Sequence, residues 1–196
     1  PVAFDPNGTD TFVACSSSGS AGTAIVGTIS GTTITFGSAV VFNSAESGRL
    51  MIAFDPNTTN SFVVTYMDFN NSYFGTACVG TVSGTSISFG SEYVFNSANI
   101  RGNSIKFDPN TAGKFVVAYT DVATTSTGKA IVGTISGTVI SYGTAVAFNA
   151  AETYSTSIDF DSNTAGKFVI AYQDAGNANY GTAVVGQLAA TVTTTN

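Results

Sequence analysis

The chain has no histidine and no tryptophan, and only two cysteines, four prolines and six basic residues among 196 positions. Without histidine, Ser-His-Asp and Cys-His catalysis, imidazole-ligated metals and an imidazole switch near neutral pH are all excluded. Two cysteines alone make no structural zinc site. Charged residues are 9% of the chain, against roughly 25% in an average soluble domain. Twelve acidic residues against six basic ones leave a net charge of −6. Such a surface repels phosphate backbones and has no basic stripe for nucleic acid. No apolar run reaches about 18 residues, so no helix is expected to insert in a membrane. Neither a P-loop nor a Gly-x-Gly-x-x-Gly fingerprint sits between a strand and a helix.

Gly, Ser, Thr and Asn take the place of charge, and they are ordered. A block of about 53 residues is written four times. Phe4-Asp5-Pro6-Asn7 returns as Phe54-Asp55-Pro56-Asn57, Phe107-Asp108-Pro109-Asn110 and Phe160-Asp161-Ser162-Asn163. A β-branched and aromatic strand follows each time, as in Phe115-Val116-Val117-Ala118-Tyr119. A period of this length marks a solenoid, a propeller or an array of small modules.

The second copy reads as four strands. Leu50 to Asp55 ends in an Asp-Pro-Asn turn, Phe62 to Met67 is the second strand, and Thr76 to Val82 the third. Ser83-Gly84 then turns into Thr85 to Phe95. In copies three and four, Gly113 and Gly166 stand where a hairpin bulge wants positive φ. The expected fold is therefore all-β: four four-stranded antiparallel meander blades of a β-propeller or propeller-like repeat domain spanning 1–196. The blades fall at approximately 1–47, 48–100, 101–153 and 154–196, with 189–196 a cap or a Thr-rich linker. Second strands that are apolar on both faces favour stacked blades. The alternative is tandem β-sandwiches of about 100 residues, each made from two copies.

In a meander the Asp-Pro-Asn and Ser-Gly turns share one face of the molecule, and the remaining connections share the other. That second face is expected to vary in length and content, as recognition surfaces do. Its candidate ligand or partner residues are Asp68, Tyr73, Phe74, Arg101, Asp121, Tyr154, Asp174, Asn177 and Tyr180. Asp68, Asp121 and Asp174 occupy one repeat position, where Ser18 stands in the first copy. They read as Asx-turns at strand ends, and Asp5, Asp55, Asp108 and Asp161 as turn formers. Calcium is a weak candidate at such oxygen-rich loops, because the spaced Asp-x-Asp-x-Asp-Gly loop is missing. No other cofactor is expected. Asn7, Asn57 and Asn70 open glycosylation sequons. Cys15 and Cys78 stand where other copies have small or apolar residues, which reads as buried free thiols; a disulfide between them is the other reading. The chain begins at Pro1 without an initiator Met or signal-like segment, which suggests a processed product or a piece of something longer.

The pattern Phe-Asp-Pro-Asn…Gly-Lys-Phe-Val-Val-Ala-Tyr…Asp…Gly-x-Ala-x-Val-Gly-Thr-x-Ser-Gly-Thr…Phe-Gly is best kept between Phe107 and Gly143. It resembles repeats of uncharacterised surface and tail-fibre proteins of aquatic bacteria and their phages. The resemblance spans nearly the whole chain, implies an extracellular, cell-surface or virion-surface part, and carries over no functional residue. A non-enzymatic structural module of a fibre or appendage is expected, with copies of itself, neighbouring repeats or glycans as partners. A carbohydrate-binding adhesin acting through the variable face is the alternative. A glycosidase-like propeller enzyme of the sialidase kind is more remote. It would bring Ser-x-Asp-x-Gly-x-Thr-Trp boxes and three arginines, and this chain has only Arg49 and Arg101.

Overall fold

The computed structural model describes residues 1–17, 19 and 21–188. The expected cap or linker at 189–196 and the departure at Ser18 lie outside the described residues. Among the described residues the fold is all-β and antiparallel, with two single-turn 3-10 segments, Val122–Thr124 and Ala175–Asn177.

The first repeat is β1 (Val2–Phe4), β2 (Thr11–Ser17), β3 (Gly22–Ser30) and a broken fourth strand, β4 (Thr33–Phe36) and β5 (Val40–Asn43), both paired to β3. The second is β6 (Ser47–Phe54), β7 (Ser61–Asp68), β8 (Phe74–Ser83) and the start of β9 (Ser86–Phe107). The third is the end of β9, β10 (Lys114–Asp121), β11 (Thr127–Ser136), β12 (Val139–Tyr142) and the start of β13 (Val146–Phe160). The fourth is the end of β13, β14 (Lys167–Asp174) and β15 (Tyr180–Gln187).

The expected boundaries at 100/101 and 153/154 fall inside single long strands. β9 bonds to β8 as far as Asn99 and to β10 from Ile100 onward; β13 hands over between Glu152 and Thr153 in the same way. Hydrogen bonding therefore links the last three repeats into one ten-stranded sheet, beside a five-stranded one. The described sheets do not close on one another.

Glycines explain much of the repeated wording. Gly84 bends the hairpin between β8 and β9 with φ of 59°, a conformation that costs Gly little. Gly80, Gly133 and Gly186 each lie under the ring of their repeat's second-strand phenylalanine (Phe62, Phe115 and Phe168), where any Cβ would overlap the ring. That phenylalanine also meets the Phe of Phe-Asp: Phe54–Phe62 and Phe107–Phe115 have centroids 5.2 and 5.3 Å apart.

Consecutive repeats stack face to face. Val13, Cys15, Ala24 and Val26 pack on Phe62, Val64 and Tyr66. Val63, Ala77 and Val79 pack on Phe115, Val117 and Tyr119. Val116 and Ala118 pack on Phe168, Ile170 and Tyr172. The middle cluster lies between the second and third repeats, where tandem sandwiches would part, so the chain does not divide into two such units. Cys15 and Cys78 are free and buried in the first cluster. Burial pushes the Cys15 thiol up to about 12 and Cys78 up as well, so neither is a reactive thiolate at neutral pH.

Candidate functional site

Three surfaces deserve chemistry: the turn face, the loop face and a central cavity. On the turn face all four Asp-x-Asn segments make the same Asx turn. Oδ1 of Asp5, Asp55, Asp108 and Asp161 accepts from the backbone N–H two residues on, at 2.9 Å each time. Asp55 also accepts from the Gly113 N–H of the next repeat at 2.7 Å. Asn7 Nδ2 donates to the Pro56 carbonyl, and Asn57 Nδ2 to the Asp108 carbonyl, both at 3.1 Å. These two sequon asparagines are exposed, yet their amide nitrogens tie neighbouring repeats together. A glycan on either would grow from that tie. Asn70 is exposed on the loop face, where its backbone N–H caps Asp68. Of the three, it is the one whose side chain makes no inter-repeat bond among the described residues.

On the loop face, Asp68, Asp121 and Asp174 again form Asx turns, to Asn70, Ala123 and Gly176 N–H at 3.1, 3.1 and 2.9 Å. Each loop then passes through two residues with positive φ: Ser72 and Tyr73, Thr125 and Ser126, Ala178 and Asn179. The expectation that these loops vary in length is thus corrected for these three repeats. They share one backbone course and differ in side chains, because the same Asx cap starts each of them.

The aspartates also hold neighbours, through residues the sequence reading missed. Asn43 Nδ2 donates to Asp68 Oδ1 at 3.3 Å, and Asn149 Nδ2 to Asp174 Oδ1 at 3.0 Å. Asn96 holds the same repeat position, but its Nδ2 donates to the Ala98 carbonyl at 3.2 Å. The signal was present as Phe42-Asn43, Phe95-Asn96 and Phe148-Asn149 at the end of each fourth strand. Asp68 and Asp121 are buried. Each of these three aspartates is committed to its own turn, and Asp68 and Asp174 also to an asparagine of the preceding repeat. Among the described residues no three acidic or cysteine side chains gather as a metal site.

Asp121 alone gains a cation, the Lys129 ammonium at 2.6 Å. Burial by itself pushes its carboxyl up. The Lys129 bond and charge, with the Ala123 and Asn96 amides, outweigh that and bring it below the ordinary value. A depressed folded pKa contributes stability that is full above the unfolded value, about 4, and is lost as pH falls through the folded one. Asp121→Asn is therefore expected to flatten the loss of stability on acidification. Urea midpoints at pH 7 and pH 3 measure it, and an unchanged acid slope would contradict it.

The other loop-face candidates divide. Arg101 and Tyr154 come together: Arg101 bonds Glu152 at 2.9 Å, and its guanidinium carbon lies 5.8 Å from the Tyr154 ring centroid. Tyr154 and Arg101 beside Glu152 lower its carboxyl, and Glu152 in turn raises the Tyr154 phenol. Glu152, two residues before Tyr154, completes this cluster and was not among the sequence candidates. Tyr73 is exposed and packs on Phe69 at 5.2 Å. Phe74 is half-buried, and Asn177 and Tyr180 are exposed on the fourth repeat.

The cavity, of about 700 Å³, is lined by the first strands of all four repeats, with Phe4, Phe54, Phe107 and Phe160 at one end of each. Its walls are mostly apolar. Lys106 and Asp159, on adjacent first strands, pair at 3.0 Å; Ser104 and Ser157 add hydroxyls.

No family model matches the chain, and no curated protein matches it. Among solved structures it is similar to Saccharomyces cerevisiae Sqt1, with a TM-score of 0.58 at 12% identity, over 88% of this chain and 44% of that one. The likeness is one of fold alone, and the chain spans less than half of that protein's length.

Proposed function

We propose that the chain is a non-enzymatic structural module whose four meanders are blades of a β-propeller, built into an extracellular, cell-surface or virion-surface assembly. The observation that carries this reading is the set of four equivalent first strands around one cavity. Each fourth strand leads directly into the next first strand, which is the radial succession of propeller blades. A structural rather than catalytic role is supported by the aspartates, which serve turns and inter-repeat ties. Placement at a surface is supported by the scarcity of charge, the Ser/Thr/Asn-rich composition and the resemblance to surface and tail-fibre repeats. Negative-stain microscopy at high concentration is expected to give ordered assemblies; strictly monomeric particles would overturn the reading.

A second reading, a carbohydrate-binding adhesin, is favoured by the exposed Tyr73 and Tyr180 rings and the Arg101–Tyr154 cluster on the loop face. Amphipathic rings stack on sugars while their hydroxyls stay wet. On a glycan array, binding abolished by Tyr73→Ala or Tyr180→Ala would support this reading, and no binding to any glycan would overturn it.

A further inference from the structure

Every repeat has two unlike faces. The phenylalanine face carries the second-strand phenylalanine and its aromatic partners; the valine face carries the alternate residues of the same strands. Three times within the chain, the valine face of one repeat packs on the phenylalanine face of the next. Among the described residues, the end repeats each keep one face without a neighbour. Phe4 is 58% exposed, whereas its counterparts Phe54, Phe107 and Phe160 are 7, 2 and 9% exposed. Val169 is 42% exposed, whereas Val13, Val63 and Val116 are fully buried. Val185 is 65% exposed, whereas Val26 and Val79 are at 1%. Val41, on the same face as Phe4, is also exposed.

We propose that the phenylalanine face of the first repeat docks, head to tail, on the valine face of the fourth repeat of a second copy of this chain. The inference deepens the assembly reading above and rests on it. The occupant is fixed by continuity with the internal interfaces, because each open face is one half of a contact the chain already makes three times. The two open faces are complements and not duplicates, so the association is heterologous: it closes a ring or extends a chain of copies. The turn face extends the argument. Asn163 stands where Asn7 and Asn57 reach the next repeat's carbonyls, and it is exposed. The Asp5 carbonyl of the second copy is its matching acceptor. The arc is curved enough for Phe4 and Asp159 to line one cavity, so copies joined at both ends form a ring.

Sedimentation velocity on paired variants tests this. Wild type is expected to associate as concentration rises. Phe4→Asp blocks the head and Val169→Asp the tail, so each alone is expected to stay monomeric. Mixed in equal amounts, they retain one intact head and one intact tail between them, and the mass is expected to double and rise no further. Val41→Asp and Val185→Asp form a second pair should either substitution loosen its strand, with an unchanged thermal transition as the control for folding. A mixture that stays monomeric would overturn the proposal. Association untouched by both substitutions would also overturn it while leaving the assembly reading standing, and a monomeric wild type would remove both.

Discussion

Phe95→Ala is expected to lower the unfolding free energy by about 3–5 kcal/mol, the usual cost of emptying a fully packed aromatic site. Phe95 is buried at the end of the second repeat's fourth strand, and it belongs to two repeats at once. Its ring lies across Gly75 of its own sheet, with its centroid 5.2 Å from that of Tyr119 and 6.2 Å from that of Tyr142 in the next. Tyr119 is fully buried and held by β9 and β11 on either side, so it has little freedom to fill the space. Phe148 is the same residue one repeat later, packed on Tyr172 at 5.0 Å but only half-buried. Phe148→Ala should therefore cost clearly less. Denaturant midpoints for the two variants measure the difference, and equal losses would contradict the stacking described above.

The second large effect concerns glycine, and it has an internal control. Gly75→Ala would place a Cβ 2.5 Å from Phe95 Cε2 and 2.6 Å from Cζ. Ring and strand cannot both stay in place, and overpacking of this kind costs about 1–3 kcal/mol. Gly181 holds the same position in the fourth repeat, but a Cβ there meets nothing within 4 Å. Gly181→Ala is thus expected to be neutral or to stabilise by up to about 1 kcal/mol, since Gly in a strand carries an entropic penalty. Phe95→Leu in the Gly75→Ala background should recover part of the loss, because the clash is with the ring. A destabilised Gly181→Ala variant, or a harmless Gly75→Ala, would show that the glycines are kept for backbone freedom and not for the aromatic contact.

Strand content was legible in the sequence because the repeat supplied four readings of each element. The Asp-Pro-Asn turns, the Ser-Gly hairpins and the positive φ at Gly113 and Gly166 follow from local turn chemistry and appear as expected. The handovers within β9 and β13 were not legible. An extended strand that changes partner midway has no local signature, and the switch is made by tertiary pairing. The loop face was read by its differing side chains, which hid a common backbone set by Asp68, Asp121 and Asp174. The asparagine ties from Asn43 and Asn149 were visible as a repeated Phe-Asn pair. What they bond became apparent only when neighbouring repeats were brought together. Arg101 and Tyr154 stood among the candidates, but Glu152, which joins them, did not: its counterpart Glu46 in the first repeat has Gly48 where Tyr154 stands, so the repeat gave no sign of the cluster.

The central claim is that the interfaces between successive repeats are of one kind, so protection should follow how many faces of a repeat are covered. Native-state amide hydrogen exchange tests it directly. The slowest exchange is expected in β7 and β10, whose sheets are covered on both faces, followed by β2, with β14 and β15 fastest. A chain that opened as two independent halves, with β9 weakly protected between them, would contradict the account.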